Sequence, residues 1–289
     1  MEKIKILVCA HKKDPHTKNN GVYTAIHGGK ELHPELDLGY INDNTGDNIS
    51  IKNSYYSELT VLYWGWKNIN NVEYCGLNHY RRYFDLDINE NNIDEIMDNY
   101  DMIAASSSML SKRERANNLI NITTNEDYYI FIDTLLSLYP DCKQSLLDYL
   151  YNSRESYPYQ MFICKKKLYD EYCQFLFSIL FEMEKKVKKH EYTRLKRTLG
   201  YIGEWLLGIF IKYKKLKVKP IPVIICTNKE IEKKSKVIKF NLKYSIIYRI
   251  RKLLFILLDL TYKKPSDIIV PEMVKVGLKN DGIELNVLK

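Results

Sequence analysis

Short apolar runs alternate with polar turns and longer amphipathic stretches along most of the chain, a pattern typical of an α/β domain. The runs are rich in β-branched residues and each is bounded by turn signals, so we interpret them as strands. Pro220 and Pro222 place the last strand at a sheet edge, because proline cannot donate to a ladder. The predicted strands are Ile4–Ala10, Leu36–Ile41, Val72–Leu77, Met102–Ala105, Tyr159–Cys164 and Lys217–Cys226.

Apolar residues at helical spacing predict the helices between these strands. Asn53 is the expected N-cap of the first, which carries Leu59 and Trp66 on one face. Pro140 separates two helices, since proline breaks a helix interior. We expect the later helices at Ile93–Tyr100, Asn125–Leu138, Asp141–Tyr151 and Lys165–Lys189, and in an apolar stretch opened by Glu204.

The character of the chain changes from Lys243 onward. Ile246, Ile250, Leu253, Leu254 and Leu257 form an apolar stripe among basic residues. Two interpretations stay open: a helix lying on an anionic membrane, or a helix that docks on its own domain. The expected organisation is therefore a domain over residues 1–228 and a basic amphipathic helical extension over residues 229–289.

Polar and basic residues follow two of the predicted strands. Asn78, His79, Tyr80, Arg81 and Arg82 come directly after Val72–Leu77, and His11 follows the first strand. Ligands of open α/β sheets bind beyond the carboxyl ends of strands, and arginine matches phosphate oxygens, so this stretch suits a phosphate-bearing ligand. The alternative is that the arginines pair with surface carboxylates and that His79 is a packing histidine.

Two further groups carry candidate chemistry. The loop Asn42–Ser50 includes Asp43, Asn44, Asp47 and Asn48, whose oxygens suit a hard cation, a ribose or a sugar. Its spacing also fits a loop of Asx turns that caps the next helix. Glu204 lies amid apolar residues, so it is either paired, with Arg194 or Arg197, or used in chemistry.

Composition narrows the functional classes. The chain has 289 residues, 45% hydrophobic content and a formal net charge of +8, which indicates a globular protein with an anionic partner. The six cysteines include no CxxC pair, which favours reduced thiols over disulfides or zinc. The chain shows no signal-peptide pattern and no apolar run of about 18 residues, so we expect a cytoplasmic protein without a transmembrane helix.

Several motifs occur in order between Ile4 and Leu207. They are His11, Tyr23, Ile26-His27-Gly28, Asp43 to Ile49, Glu58-Leu59-Thr60, Tyr63-Trp64, Gly76-Leu77, His79 to Phe84, Met161-Phe162-Ile163, Gly200 and Gly203-Glu204. Together they resemble the DUF4422 family of bacterial capsule and exopolysaccharide loci. The resemblance implies a glycosyltransferase with a GT-A-like fold, a mainly parallel sheet flanked by helices.

The resemblance also implies substrates and site residues. The expected reaction moves a hexose, galactose or galactofuranose, from a UDP-linked sugar to a growing lipid-linked surface polysaccharide. The expectation that the protein lies at the inner face of the plasma membrane rests instead on the basic amphipathic extension, which the resemblance does not cover. Gln160 and Met161 are the acceptor or sugar recognition pair; Gln160 stands where the family has Asn, which bears on that specificity. The expected donor-binding residues are His11, Tyr23, His27, Asp43, Asn44, Asp47, Asn48, Tyr80, Arg81 and Arg82.

The same residues suggest a mechanism. Arginines hold a divalent cation poorly but neutralise a departing nucleoside diphosphate, so we expect metal-independent leaving-group stabilisation by His79, Arg81 and Arg82. Glu204 is the expected general base of an inverting transfer. Mn²⁺ or Mg²⁺ held by Asp43 and Asp47 stays open as an alternative, and so does a retaining outcome.

Two rival functions belong to other classes. A nucleic-acid-binding protein is suggested by the net charge and by tyrosines interleaved with lysines. The lysines concentrate after residue 184, away from the motifs, so we expect no nucleic-acid partner. A GT-A-like nucleotidyltransferase stays open until the transferred group is identified.

Overall fold

The computed structural model describes residues 1–106, 111–191, 193–226 and 242–288. Within these residues, the strands form one mixed sheet. The strands are β1 (Glu2–Ala10), β2 (Tyr23–His27), β3 (Ile41–Asn42), β4 (Val72–His79), β5 (Arg82–Phe84), β6 (Met102–Ala105), β7 (Phe162–Lys165), β8 (Val218–Ile221) and β9 (Val223–Ile225).

Helices pack on both faces of this sheet. They are α1 (Asn53–Tyr56), α2 (Leu59–Asn68), α3 (Ile93–Met97), α4 (Lys112–Asn118), α5 (Asn125–Leu138), α6 (Lys143–Tyr151), α7 (Lys166–Glu184), α8 (Thr193–Lys196), α9 (Thr198–Tyr213), α10 (Leu242–Leu260) and α11 (Glu272–Asn280).

The strand order is β3-β2-β1-β4-β7-β6-β8. Strands β3, β2, β1 and β4 run parallel to one another, and β7 runs antiparallel between β4 and β6. Strand β5 pairs with the end of β4 and with β9. The carboxyl ends of β1, β2 and β4 therefore meet at one edge of the sheet, where parallel sheets place ligands.

The central strands are buried on both faces, which explains their nearly continuous apolar sequences. Leu7 and Leu77 pack into the cluster formed with α2, α7 and α9, whereas Ile6 and Val8 pack into a second cluster on the opposite face. Gly76 is required between β4 and β7, because a Cβ there would lie 2.4 Å from the Phe162 carbonyl oxygen. The sheet core thus positions the end of β4.

One predicted strand is wrong in position and another is divided in two. The second strand is Tyr23–His27, which pairs in register with Ile6–Ala10 of β1, and of the predicted strand Leu36–Ile41 only Ile41 belongs to a strand, the short β3. The position of the second strand is therefore set by its hydrogen bonds to β1. The predicted strand Lys217–Cys226 divides at Pro222 into β8 and β9, and β8 is the edge strand, as expected.

Three local predictions also differ from the structure. Asn53 is the first residue of α1 rather than an N-cap, and its side chain donates to the Ser57 carbonyl. Glu204 lies inside α9, which begins at Thr198, because Gly200 and Gly203 pack as helical residues against α1 and Leu59. Tyr159 and Gln160 form a turn before β7, with φ of 69° and 54°.

The carboxyl-terminal residues pack partly on the main core. Ile268, Val274 and Leu278 are buried in the cluster that includes α5 and α7, and the buried Asp133 carboxylate accepts backbone hydrogen bonds from Asn286, Val287 and Leu288. The predicted domain boundary falls within residues 227–241, outside the described residues, and stays a prediction. Among the described helices, none is long and apolar enough to cross a membrane.

Candidate functional site

A cavity of about 570 Å³ opens at the carboxyl ends of β1, β2 and β4. Its walls come from these strand ends, from α1 and from α9. It is lined by Cys9, His11, Gly28, Asn53, Ser54, Ser57, Glu58, His79, Tyr80, Arg82, Tyr159, Arg197, Tyr201 and Glu204. The structure therefore brings together five of the predicted site residues, namely His11, His79, Tyr80, Arg82 and Glu204.

A second cavity, of about 730 Å³, lies at the opposite edge of the sheet, where Tyr74, Asp101 and Lys217 stand near strand amino ends. It is larger, but the topology favours the carboxyl-end cavity as a ligand site. The carboxyl-end cavity also contains the glutamate with a raised pKa described below, which supports the same choice.

The turn at Tyr159 organises the β4 end of the cavity. His79 Nε2 lies 2.6 Å from the Tyr159 carbonyl oxygen, which can only accept, so this nitrogen carries the proton. The guanidinium of Arg82 lies 4.4 Å from the centre of the Tyr159 ring. Burial lowers the pKa of His79, and a neutral imidazole suits this anchoring contact. Tyr159 thus holds both β4-end side chains in place.

Left-handed backbone at two successive non-glycine residues is uncommon and costs of the order of 1–3 kcal/mol for each residue. Tyr159 and Gln160 adopt it together, where the Tyr159 backbone also hydrogen-bonds to Glu204. Three cavity side chains, His79, Arg82 and Glu204, therefore depend on one strained turn.

Glu204 faces the cavity from the second turn of α9. Burial raises its pKa to about 7, and the negative charge of Glu58 adds to the rise. The hydrogen bond from Tyr159 and the positive charges of Arg82 and Arg197 oppose the rise. A carboxyl group with a pKa near neutrality, open to a cavity, is suited to accept a proton from a bound hydroxyl group.

Glu58 and Arg197 line the cavity although neither is among the predicted site residues; the sequence indicated Arg197 only as a possible ion-pair partner of Glu204. Glu58 is nearly buried at the start of α2, after Ser57 adopts a φ of 53° and separates α1 from α2. Arg197 donates through Nε to Ser57 Oγ at 2.8 Å, and its Nη2 lies 3.9 Å from Glu58. The sequence does contain a signal for Glu58, because a charged residue stands directly before an apolar helix. The aromatic residues at helical spacing that follow it favour a packing role for this region, so the signal is easily missed.

Arg81 is placed differently from its neighbour Arg82. Its guanidinium makes an ion pair with the buried carboxylate of Asp14, with N–O distances of 2.6 and 2.5 Å, and it does not line the cavity. His16 also hydrogen-bonds to Asp14, and these contacts with His16 and Arg81 lower the pKa of the carboxyl group against the opposing effect of burial. In the structure, Arg81 therefore forms an ion pair with Asp14 outside the cavity lining.

Asp43 lies below the cavity and not in its lining. Its fully buried carboxylate accepts hydrogen bonds from the backbone of Gly29 at 2.8 Å and Lys30 at 3.1 Å, from Thr60 at 2.7 Å, and from Ser50. Thr60 in turn accepts from Asn53, which lines the cavity. Asp43 therefore joins the loop after β2 to the cavity wall.

The other polar residues of that loop also bond within the protein. Asn44 donates to Glu31 at 2.9 Å, and the Tyr63 hydroxyl donates to Asp47 at 3.1 Å. Asn48 donates to the Gly46 carbonyl and accepts from the Ser50 backbone. None of these three residues lines the described cavity. The arrangement matches the Asx-turn alternative for this loop.

Four further predicted residues lie in the packed interior. Tyr23 packs edge-to-face on Tyr83. His27 is fully buried, its pKa is lowered mainly by burial, and among the described residues neither ring nitrogen has a hydrogen-bond partner. Gln160 accepts from the Tyr172 hydroxyl at 2.8 Å, and Met161 is buried in the core. The structure does not bring these four into the cavity lining.

The cavity combines two carboxylates, two guanidiniums and three tyrosines. Guanidiniums suit a phosphate group and tyrosine rings suit a sugar or base. Within the described ranges, no group of three His, Cys, Asp or Glu side chains is placed to hold a metal ion. The guanidiniums and tyrosine rings therefore match an anionic, ring-containing ligand.

Comparisons with known proteins agree with this architecture. The solved structure of "WbbM bifunctional glycosyltransferase", in its apo form, is similar to the chain with 26% identity and a TM-score of 0.68. The match covers 78% of this chain and 46% of that one, so the chain spans less than half the length of this neighbour.

The GT-A-like α/β fold predicted from sequence is confirmed by this match. A search of curated proteins returned no match. The family model of DUF4422, a domain of unknown function, matches residues 5–215. With most of its length matched, the chain belongs to the DUF4422 family.

Proposed function

We propose that the protein is a glycosyltransferase that moves a hexose from a nucleotide-sugar to a hydroxyl group of an acceptor. The observation that carries the proposal is the pairing, in one cavity, of Glu204 with a pKa raised to about 7 and of Arg82 at the end of β4. The likeness to a solved glycosyltransferase supports the same reaction class. UDP is the proposed nucleotide, and galactose or galactofuranose the proposed sugar.

The leaving group is the nucleoside diphosphate. As the bond from the anomeric carbon to the diphosphate oxygen breaks, negative charge grows on that oxygen. Arg82 stands over the Tyr159 ring with its Nε buried and without a hydrogen-bond partner among the described residues. Arg197 brings a second guanidinium to the same cavity. Preorganised donors of this kind stabilise the transition state because they need no reorganisation.

The nucleophile is an acceptor hydroxyl group. In an inverting transfer its oxygen forms the new bond to the anomeric carbon, and its proton passes to the Glu204 carboxylate. A pKa near neutrality lets Glu204 be ionised before the transfer and still bind the proton strongly. Glu58 faces the same space and disfavours a second negative charge, which raises the proton affinity of Glu204 further.

The proposed acceptor is a growing lipid-linked surface polysaccharide, and the proposed location is the inner face of the plasma membrane. The acceptor comes from the family resemblance, and the location comes from the basic amphipathic pattern after Lys243 and from the net charge of +8, which favours an anionic surface. The surface that would hold the protein there is argued separately below.

Divalent metal is not required in the proposed mechanism, because cationic Arg82 occupies the strand end from which a metal-binding carboxylate would act. We expect EDTA to leave most of the transfer rate in place. Complete loss of the rate, restored by Mn²⁺ or Mg²⁺, would replace this mechanism with a metal-dependent one.

A donor screen tests the function directly. UDP-, GDP- and CMP-sugars are added to the purified protein and its thermal midpoint is followed, because a ligand of the folded state raises it. We expect a rise with a UDP-sugar, lost in Arg82→Ala and kept in Lys217→Ala at the opposite edge of the sheet. No rise with any nucleotide-sugar would overturn the proposal. Release of pyrophosphate instead of nucleoside diphosphate would assign a nucleotidyltransferase.

A further inference from the structure

Helix α10 carries a broad apolar face that no described part of the chain covers. The aliphatic side chains on this face are between 38% and 76% exposed. We call them the outer face of α10, and they are Ile250, Leu253, Leu254, Ile256, Leu257, Leu258 and Leu260. Exposed apolar patches of this kind on soluble domains mark an interaction surface.

The opposite side of α10 packs against the start of α4 and the segment after α6. Phe255 is buried, and Asp259, one turn later, accepts hydrogen bonds from Arg154 at 2.7 Å and from the Lys112 backbone at 3.0 Å. An ion pair of 2.6 Å also joins Arg154 to Asp259, whose side chain is 5% exposed. Since these contacts fix the rotation of the helix, the outer face is directed away from the body.

The segment that contains this helix is strongly basic. Between residues 243 and 264 the only acid is Asp259, and Arg154 neutralises it. Arg249 and Lys263 are exposed at the two ends of the outer face. The cations of this segment are Lys243, Arg249, Arg251, Lys252, Lys263 and Lys264, of which Lys264 lies 3.5 Å from the Asp148 carboxylate of α6.

We propose that the outer face of α10 lies on an anionic membrane surface. Its aliphatic side chains would enter the boundary between headgroups and acyl chains, while the surrounding cations meet the lipid headgroups. A second copy of the chain is a poorer occupant, because a twofold interface would bring like charges at Arg249 and Lys263 of both copies together. The occupant that matches both the apolar face and the charge is the lipid surface.

Vesicle binding tests this inference without any substrate. The full chain is sedimented with vesicles of phosphatidylcholine alone and with vesicles of phosphatidylcholine and phosphatidylglycerol. We expect binding to the mixed vesicles that salt weakens, and at least about tenfold weaker binding for the double variant Leu254→Glu, Leu257→Glu. Both positions are exposed, so the variant should keep the wild-type melting temperature.

The matched control places the same charges on other exposed apolar residues. Ile269 and Met273 lie outside α10, so Ile269→Glu, Met273→Glu should bind vesicles like the wild type. Equal loss in both double variants, or equal binding to neutral and anionic vesicles, would overturn the inference. A dimer in solution that only the α10 variant dissociates would instead assign the face to a second copy.

Discussion

The end of β4 and the loop after β3 carry equally polar sequences, yet the structure uses them in opposite ways. In the loop, the Asp43 carboxylate accepts four hydrogen bonds from protein donors and is fully buried. At the end of β4, Arg82 and His79 are held by the Tyr159 turn and still face a cavity. In the loop, the polar groups are hydrogen-bonded within the protein and stabilise the fold. At the end of β4, they remain accessible to a ligand.

This contrast shows what separates a structural polar cluster from a candidate site. A buried carboxylate that is fully hydrogen-bonded stabilises the loop but has no remaining capacity for a ligand. A buried polar atom without a protein partner, such as Arg82 Nε among the described residues, is costly unless a ligand or water satisfies it. Substitutions in both regions should therefore separate effects on stability from effects on turnover.

The largest expected effect is on turnover at Glu204. Glu204→Gln keeps the shape of the side chain and removes its proton affinity, so kcat should fall about 10²- to 10⁴-fold with little change in donor affinity. The thermal midpoint should stay the same or rise, because a buried charge is removed. A lowered midpoint with normal kcat per folded molecule would make Glu204 a structural residue.

The next effect is on stability at Asp43. Asp43→Ala leaves the Gly29 and Lys30 amides and the Ser50 and Thr60 hydroxyls without their acceptor, so the free energy of unfolding should fall by roughly 3 kcal/mol or more. Urea unfolding of the variant measures this loss. Asp47→Ala, in the exposed part of the same loop, is the control and should cost much less. Equal losses would contradict the special role of Asp43.

Substitutions of the adjacent residues Arg81 and Arg82 should have smaller effects, and they should differ from each other. Arg82→Ala should lower kcat/KM by about 10- to 100-fold, since a charge-assisted contact to the diphosphate contributes ~1.5–3 kcal/mol. Arg81→Ala should mainly lower the melting temperature, because it leaves the buried Asp14 carboxylate without its arginine. Steady-state kinetics and thermal unfolding of both variants are compared. Reversed effects would exchange the roles of the two arginines.

The pH profile of kcat/KM tests the protonation state of the same base. The pKa of Glu204 is raised to about 7, so the base form is lost as pH falls through that value and kcat/KM should drop about tenfold per pH unit below it. Glu204→Gln should remove this ionisation from the profile.

The free energy of unfolding should depend on pH in the opposite sense to kcat/KM. The folded state keeps a proton that the unfolded state has released, so the free energy of unfolding should decrease as pH rises from the ordinary glutamate pKa to about 7. Comparing urea unfolding of the wild type and Glu204→Gln across this range isolates the contribution of this group. A wild-type curve parallel to that of the variant would contradict the raised pKa.

Some elements were predictable from sequence because local signals and tertiary contacts agree. The apolar runs at β1, β4 and β6 lie in the sheet, and α5 spans Asn125–Leu138 as predicted. Near the cavity, the sequence indicated polar and basic residues at the end of a buried strand, where the structure has His79 as the last residue of β4, and an acid amid apolar residues, where the structure has Glu204 inside α9. These inferences needed only residue type and neighbouring pattern.

Other elements depend on contacts between residues far apart in sequence. Strand β2 forms because Tyr23–His27 pairs with β1, and Glu58 becomes a cavity residue because α9 packs on α1 and places Arg197 and Glu204 opposite it. Sequence also cannot tell Arg81 from Arg82, since the distinction rests on Asp14, which is distant along the chain.

By itself, the sequence determined the α/β class, the buried strand that ends in basic residues, and the apolar stripe of α10. Hydrophobic periodicity is local, so it can be recognised without knowing the fold. Only the tertiary structure decided which polar groups are satisfied by the protein and which face the cavity. That division depends on long-range hydrogen bonds and burial, which bring Asp43 to Thr60 and Tyr159 to His79.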